Sequence, residues 1–239
     1  MARRAKRPAA RAAAASRSSS AADTTPRQRI IEAFMALLAE EAFERIGLGD
    51  VAERAEVSLA DLRNEFGSTL AILAAHVKEL DRKVLASIDP DLADETPRER
   101  LFDVLMRRLE LMAPHKEAIR SLMRSVRRDP PLALALNGLA VCSQQWMLTA
   151  AGIGATGPKG MIRAQGLALL YANVLRTWID DDDEGLARTL AALDRELARG
   201  QRLVGLLDEL CKIPERACRL TRRVRRPRRD DEREERVPM

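Results

Sequence analysis

The sequence predicts an all-α fold: an N-terminal three-helix helix-turn-helix domain joined by a long helix to a larger helical domain. Three observations predict it. Apolar residues recur at helical rather than alternating spacing along most of the chain. Residues 50–66 read as two short amphipathic helices hinged by a tight turn. A composition of 46% hydrophobic but only 3% aromatic residues leaves Leu, Ala and Ile to pack helix against helix.

Residues 1–24 read as a disordered basic arm. Arg3, Arg4, Lys6, Arg7, Arg11 and Arg17 meet no acid before Asp23, so residues 1–22 carry a net +6. There is no apolar run fit for a signal peptide; the acid-free Arg- and Ser-bearing start also resembles a transit segment, but a basic arm needs fewer assumptions. Pro26 suits a first helical turn, and Ile30, Ile31, Phe34, Leu37 and Leu38 trace the buried stripe of a helix that ends before Gly47 and Gly49. Val51, Ala52 and Ala55 share one face of the next helix, and Leu59, Leu62 and Phe66 mark the stripe of the one after it. Ser58 opens that helix as a cap, with Asp61 placed to reach back. Ser68 caps a longer helix, with Leu70, Leu73, Val77, Leu80 and Val84 at near-heptad spacing before Pro90.

Five further helices are expected beyond Pro97. Leu101, Phe102, Leu105, Leu109 and Met112 stripe the first, to Pro114; Ile119, Leu122, Met123 and Val126 stripe the second, to Asp129-Pro130-Pro131. Residues 131–150 are apolar nearly all round, which predicts an interior helix. A Gly-rich connection, Gly152 to Gly160, leads to a second mostly apolar helix from Met161 to Trp178. Asp180 to Asp183 then read as a solvated capping cluster before a helix carrying Leu186, Leu190, Leu193 and Leu197.

The order of helices, with the wording Ile-Ile-Glu-Ala-Phe, Val-Ala-Glu-Arg-Ala-Glu-Val-Ser and Leu-Arg-Asn-Glu-Phe-Gly-Ser, resembles the TetR family of bacterial transcriptional regulators over residues 25–88. The resemblance implies a cytoplasmic, non-enzymatic homodimer whose residues 25–88 bind double-stranded operator DNA. It implies DNA contacts from Ser58, Leu59, Ala60, Arg63, Asn64, Thr69 and Arg27. Residues 96–210 become a ligand-binding and dimerisation domain, dimerising through residues 161–207. Its candidate pocket residues are Met106, Leu109, Met112, Met123, Trp146, Met147 and Tyr171, each of which could equally be ordinary core. The few charges nearby favour an apolar or lipid-like effector.

The DNA-facing unit departs from the family pattern. Glu56 stands at the turn position usually held by glycine, Arg63 replaces a common Tyr, Asp61 a usual Thr, and Thr69 a phosphate-contacting Lys. Residues 26–88 hold eight Lys or Arg against eleven Asp or Glu, a net of −3. The basic pI near 9.5 therefore comes from the arm and from the Arg-rich tail, 211–239, rather than from the body. If the chain binds DNA well, the arm supplies much of the attraction.

A second resemblance pulls away from DNA. Trp178-Ile-Asp-Asp-Asp-Asp-Glu and residues 188–197 look like the end of the TetR-like lipid-binding accessory proteins of ubiquinone biosynthesis, which share the fold without binding an operator. Other classes find no footing. Cys142, Cys211 and Cys218 have no C-x-x-C spacing and are expected as buried free thiols, with no cofactor or metal. His76 and His115 sit with no nucleophile in a recognisable motif and are expected at the surface or core edge. No apolar run reaches the roughly 18 to 20 residues of a membrane span.

Overall fold

The computed structural model of the chain describes residues 25–89 and 94–202, with no strand among them. The basic arm, residues 203–207 of the expected interface and the Arg-rich tail lie outside the described residues. A compact unit runs to Leu197; residues 198–202, the described part of a second unit, are helical.

Helix α1 (Pro26–Glu40) starts where the Thr25 hydroxyl accepts the Gln28 N–H, and it buries Ile30, Ile31, Phe34, Leu37 and Leu38 as the periodicity predicts. A 3-10 turn (Phe43–Arg45) leads to α2 (Leu48–Arg54), α3 (Leu59–Glu65) and the long α4 (Thr69–Ala86). Ser58 and Ser68 cap α3 and α4, accepting from the Asp61 and Ala71 N–H groups at 3.0 and 3.1 Å. Phe34, Leu38, Val51, Leu62, Phe66 and Ile72 form the core of this part. Each such side chain contributes on the order of 1.5–3 kcal/mol by leaving water.

The larger part follows. Helix α5 (Pro97–Met112) begins with a Thr96–Glu99 capping box. A 3-10 turn (Ala113–His115) then leads to α6 (Lys116–Val126), α7 (Pro130–Ala150), α8 (Gly157–Ile179) and α9, residues 187–197 of the compact unit. Leu105, Leu109, Met147, Val174, Trp178 and Leu193 are central to its core. Gly160 lets α8 start tightly: a Cβ there would lie 2.1 Å from the Ala155 carbonyl carbon.

Several details depart from the expectation. On α6 the fully buried residues are Ala118, Ser121 and Ser125, at i, i+3, i+7, while Ile119, Leu122, Met123 and Val126 are only half-buried. The small stripe lets α6 lie close against α1, and Ala118 joins the core of the helix-turn-helix part. Helix α7 is not interior: Leu134 is 75% and Trp146 58% exposed, because an uncharged helix still has only one side packed on its own chain. Cys142, on that same side, is exposed rather than buried.

The acidic run is split. Asp181 is buried and accepts both the N–H and the hydroxyl of Thr189, at 2.9 and 2.7 Å, while Asp182 stays in solvent. Leu186 sits at φ +51° in the turn, so the last helix starts one residue later.

Candidate nucleic-acid interface

Helices α2 and α3 are held at their angle by local chemistry. The Asp50 carboxylate accepts the Gly47 N–H at 2.9 Å, and Arg54 at the far end of α2 grips Glu40 of α1 through two hydrogen bonds of 2.6 and 3.1 Å. The chain then turns. Glu56 adopts φ +53°, the left-handed conformation expected of a position where glycine is usual, and the Val57 N–H closes the turn on the Ala52 carbonyl at 3.0 Å. The Arg29 guanidinium of α1 donates to the Glu56 carbonyl at 3.5 Å and braces the bend.

Helix α3 is anchored by one buried residue of its own, Leu62, with Phe66 following it into the core. Ser58, Leu59, Ala60, Asp61, Arg63, Asn64 and Glu65 are all exposed. Leu59, read as part of the buried stripe as well as a contact residue, is 61% exposed; the stripe reduces to Leu62 and Phe66 because Leu59 lies in the first turn, beyond the reach of α1. The structure thus brings Ser58, Leu59, Ala60, Arg63 and Asn64 onto one short projecting rod, with half-buried Thr69 at the start of α4.

The rod's electrostatics are mixed. The Ser58 hydroxyl donates to Asp61 at 2.7 Å, which keeps that carboxylate folded against the helix start. Arg27 pairs with Glu65 at 3.3 Å and lies over the Phe66 ring at 4.5 Å, so its charge is already partly answered. Arg63 carries no ion pair among the described residues.

The candidate effector residues are dispersed. Leu109, Met112, Met147 and Tyr171 pack into one core, Met106 and Met123 lie at its edge, and Trp146 faces outward. Met106 also borders a groove of about 370 Å³ between α4 and α5, lined further by Val84, Ser87, Asp103 and Arg107.

Sequence reasoning missed the polar cluster inside that core. Asp81 of α4 accepts from Arg108 of α5 and, at 2.8 Å, from the Ser143 hydroxyl of α7, all three buried. The Arg108 guanidinium carbon lies 5.8 Å from the Tyr171 ring centre, and burial pushes that phenol's pKa up. Arg108 Nε and Gln144 Oε1 have no hydrogen-bond partner among the described residues. His76 of α4 is half-buried at the core edge, as expected; it stacks edge-to-face on His115 at 4.9 Å, and burial first, then the charges of His115, Lys83 and Arg108, lower its pKa to about 4.

Helix α6 joins the two parts. Its Ser121 hydroxyl donates to the Glu41 carbonyl at 2.7 Å and its Ser125 oxygen accepts the Phe43 N–H at 3.2 Å. From the same helix Lys116 donates to the Asp181 carbonyl at 2.6 Å and Arg120 to that of Ile179. One helix therefore grips both the end of α1 and the α8–α9 corner.

A projecting second helix on a three-helix unit, continued by a long helix into a larger α-helical body, is the architecture of the TetR-type fold. No family model matches the chain and no curated protein does. Solved structures do. A TetR transcriptional regulator from Nitrosomonas europaea ATCC 19718 superposes with a TM-score of 0.58 at 22% identity, over 73% of this chain and 97% of that one. Another from Rhodococcus sp. RHA1 gives 0.50 at 20% identity, over 74% and 95%. A TetR-family regulator from Streptomyces coelicolor gives 0.51 at 14% identity, over 77% and 83%. The chain has the TetR-family fold.

Proposed function

We propose that the chain is a dimeric, non-enzymatic, ligand-responsive transcriptional regulator that reads double-stranded operator DNA with α3. The observation that carries this reading is the rod itself: a seven-residue helix that buries one of its own side chains, Leu62, and offers Leu59, Ala60, Arg63 and Asn64 to solvent. Arg63 suits a phosphate or a guanine edge, Asn64 an adenine edge, and Leu59 a thymine methyl. An effector in the larger domain acts by population shift, changing the separation of the two recognition helices, which must match half-sites about one DNA turn apart. Helix α6 transmits the change through Ser121 and Ser125. The test is a gel shift on the DNA upstream of the protein's own coding region, wild type against Arg63→Ala/Asn64→Ala; equal affinity of the two sinks the assignment of α3.

One observation favours the second reading, a lipid-binding accessory role on the same fold. Asp61 and Glu65 flank Arg63, and Glu65 ties up Arg27, so the rod has little positive charge to spend on phosphates. Phospholipid or isoprenoid co-purifying with the chain, together with no duplex binding, would select that reading.

A further inference from the structure

Helix α7 contains no Asp, Glu, Lys or Arg in its 21 residues, yet one side of it faces solvent. Leu134 and Trp146 are 75% and 58% exposed there, and the adjoining side of α8 shows Met161, Ile162 and Leu169 at 51%, 60% and 59%. Two contacts set the register of the pair. Asn137 and Gln165 exchange amide hydrogen bonds of 2.9 Å in both directions, and Gln145 donates to the Met161 sulfur at 2.9 Å. This antiparallel register puts Leu134 level with Leu169, Gly138 with Gly166 and Cys142 with Ile162. A Cβ on either glycine would meet nothing within 4 Å, so the middle of the strip is a shallow, smooth-floored trough. Helix α9 is different: its outward residues include Arg188, Asp194 and Arg195.

We propose that the α7–α8 face is covered by a second copy of the chain, in an isologous contact centred on Gly138 and Gly166. This rests on the dimer of the proposed function and changes its geometry, since α7 takes the place expected for the last helix. Charge supports a self-partner: between Leu134 and Ile162 the strip carries no charge to repel its own image, and the exposed cations of α8, Lys159 and Arg176, lie toward its two ends. Area supports it too. The five exposed side chains offer roughly 600 Å² of apolar surface, close to the ~800 Å² per partner of a standard interface. The glycines let helices approach closely, and Trp146 supplies the aromatic anchor such contacts favour.

Sedimentation velocity on the full chain tests the face. Leu134→Arg and Leu169→Arg, each checked for native helicity, weaken association by about 100-fold or more, as buried unpaired charges do; Arg195→Glu on α9 leaves it unchanged. Dissociation by Arg195→Glu with both arginine variants still dimeric overturns the placement and spares the dimer. A wild-type chain that is monomeric at tens of micromolar overturns both, whereas loss of duplex binding with the dimer intact touches only the regulator reading. Cys142 gives a readout that leaves the strip unaltered. In a Cys211→Ser/Cys218→Ser chain its maleimide labelling slows as protein concentration rises, and a concentration-independent rate overturns the proposal. Flotation of the wild type, but not of Leu134→Arg, on phosphatidylglycerol vesicles would make the face a membrane contact instead and overturn it as well.

Discussion

Asp81 is the buried group whose removal the structure weighs most clearly. Its Oδ1 is the acceptor for both Arg108 and Ser143, and all three are enclosed between α4, α5 and α7. In Asp81→Ala the guanidinium keeps its charge and its burial but loses its only counterion among the described residues, a change that costs about 3–5 kcal/mol. Against a total of roughly 5–15 kcal/mol this is a large fraction, and in a chain of this size it lowers Tm by about 6–20 °C. Restoring neutrality removes the penalty. The triple variant Asp81→Leu/Arg108→Met/Ser143→Ala strands neither a charge nor a hydroxyl, so it lies within about 1 kcal/mol of wild type or above it. Urea unfolding followed by far-UV circular dichroism, at one fixed protein concentration because association adds its own stabilisation, reads both differences. A cost below about 1 kcal/mol for Asp81→Ala, or a triple variant no better than the single, would refute the reasoning.

His76, lowered from 6.5 to about 4, binds fewer protons folded than unfolded between those values. Stability therefore falls as pH drops through that window, by up to roughly 3 kcal/mol, and His76→Gln flattens this part of the pH–stability curve; an unchanged slope contradicts the burial argument. Glu56 holds φ +53° at the α2–α3 turn, so Glu56→Gly raises stability by about 0.5–1 kcal/mol while the carbonyl that Arg29 grips is retained; a thermal melt that shows destabilisation counts against strain there. Asp181 is kept below the usual carboxylate range chiefly by the Thr189 hydroxyl. Asp181→Ala accordingly speeds hydrogen exchange at the first turns of α9, and exchange confined to its usual rate would show that the cap is dispensable.

The helix-turn-helix part was legible because local signals agree. Pro26 opens the first helix and Ser58 and Ser68 cap the helices that follow them, the apolar stripe of α1 buries as spaced, and Glu56 takes the positive φ its position demands. The larger part was less legible, for a physical reason in each case. Arg108 and Asp81 lie 27 residues apart and look like solvated charges until the fold brings them together. The acids at 180–183 look equivalent, yet only Asp181 meets both donors of Thr189. On α6 the apolar stripe drew attention from the small one, Ala118, Ser121 and Ser125, that makes the close contact. The absence of charge on α7 was visible; which side of it the chain itself would cover was not, and so Trp146 and Cys142 were expected inside.

The account turns on whether α3 engages a duplex. Fluorescence anisotropy on labelled DNA from the protein's own upstream region, titrated with the full chain between about 50 and 200 mM salt, measures it directly. The account predicts saturable binding at two chains per site, weakened by rising salt, and reduced about tenfold or more in Arg63→Ala/Asn64→Ala while residual nonspecific binding persists. A dimeric wild-type chain that binds no duplex at micromolar concentration, or a double variant that binds as tightly as wild type, would contradict it.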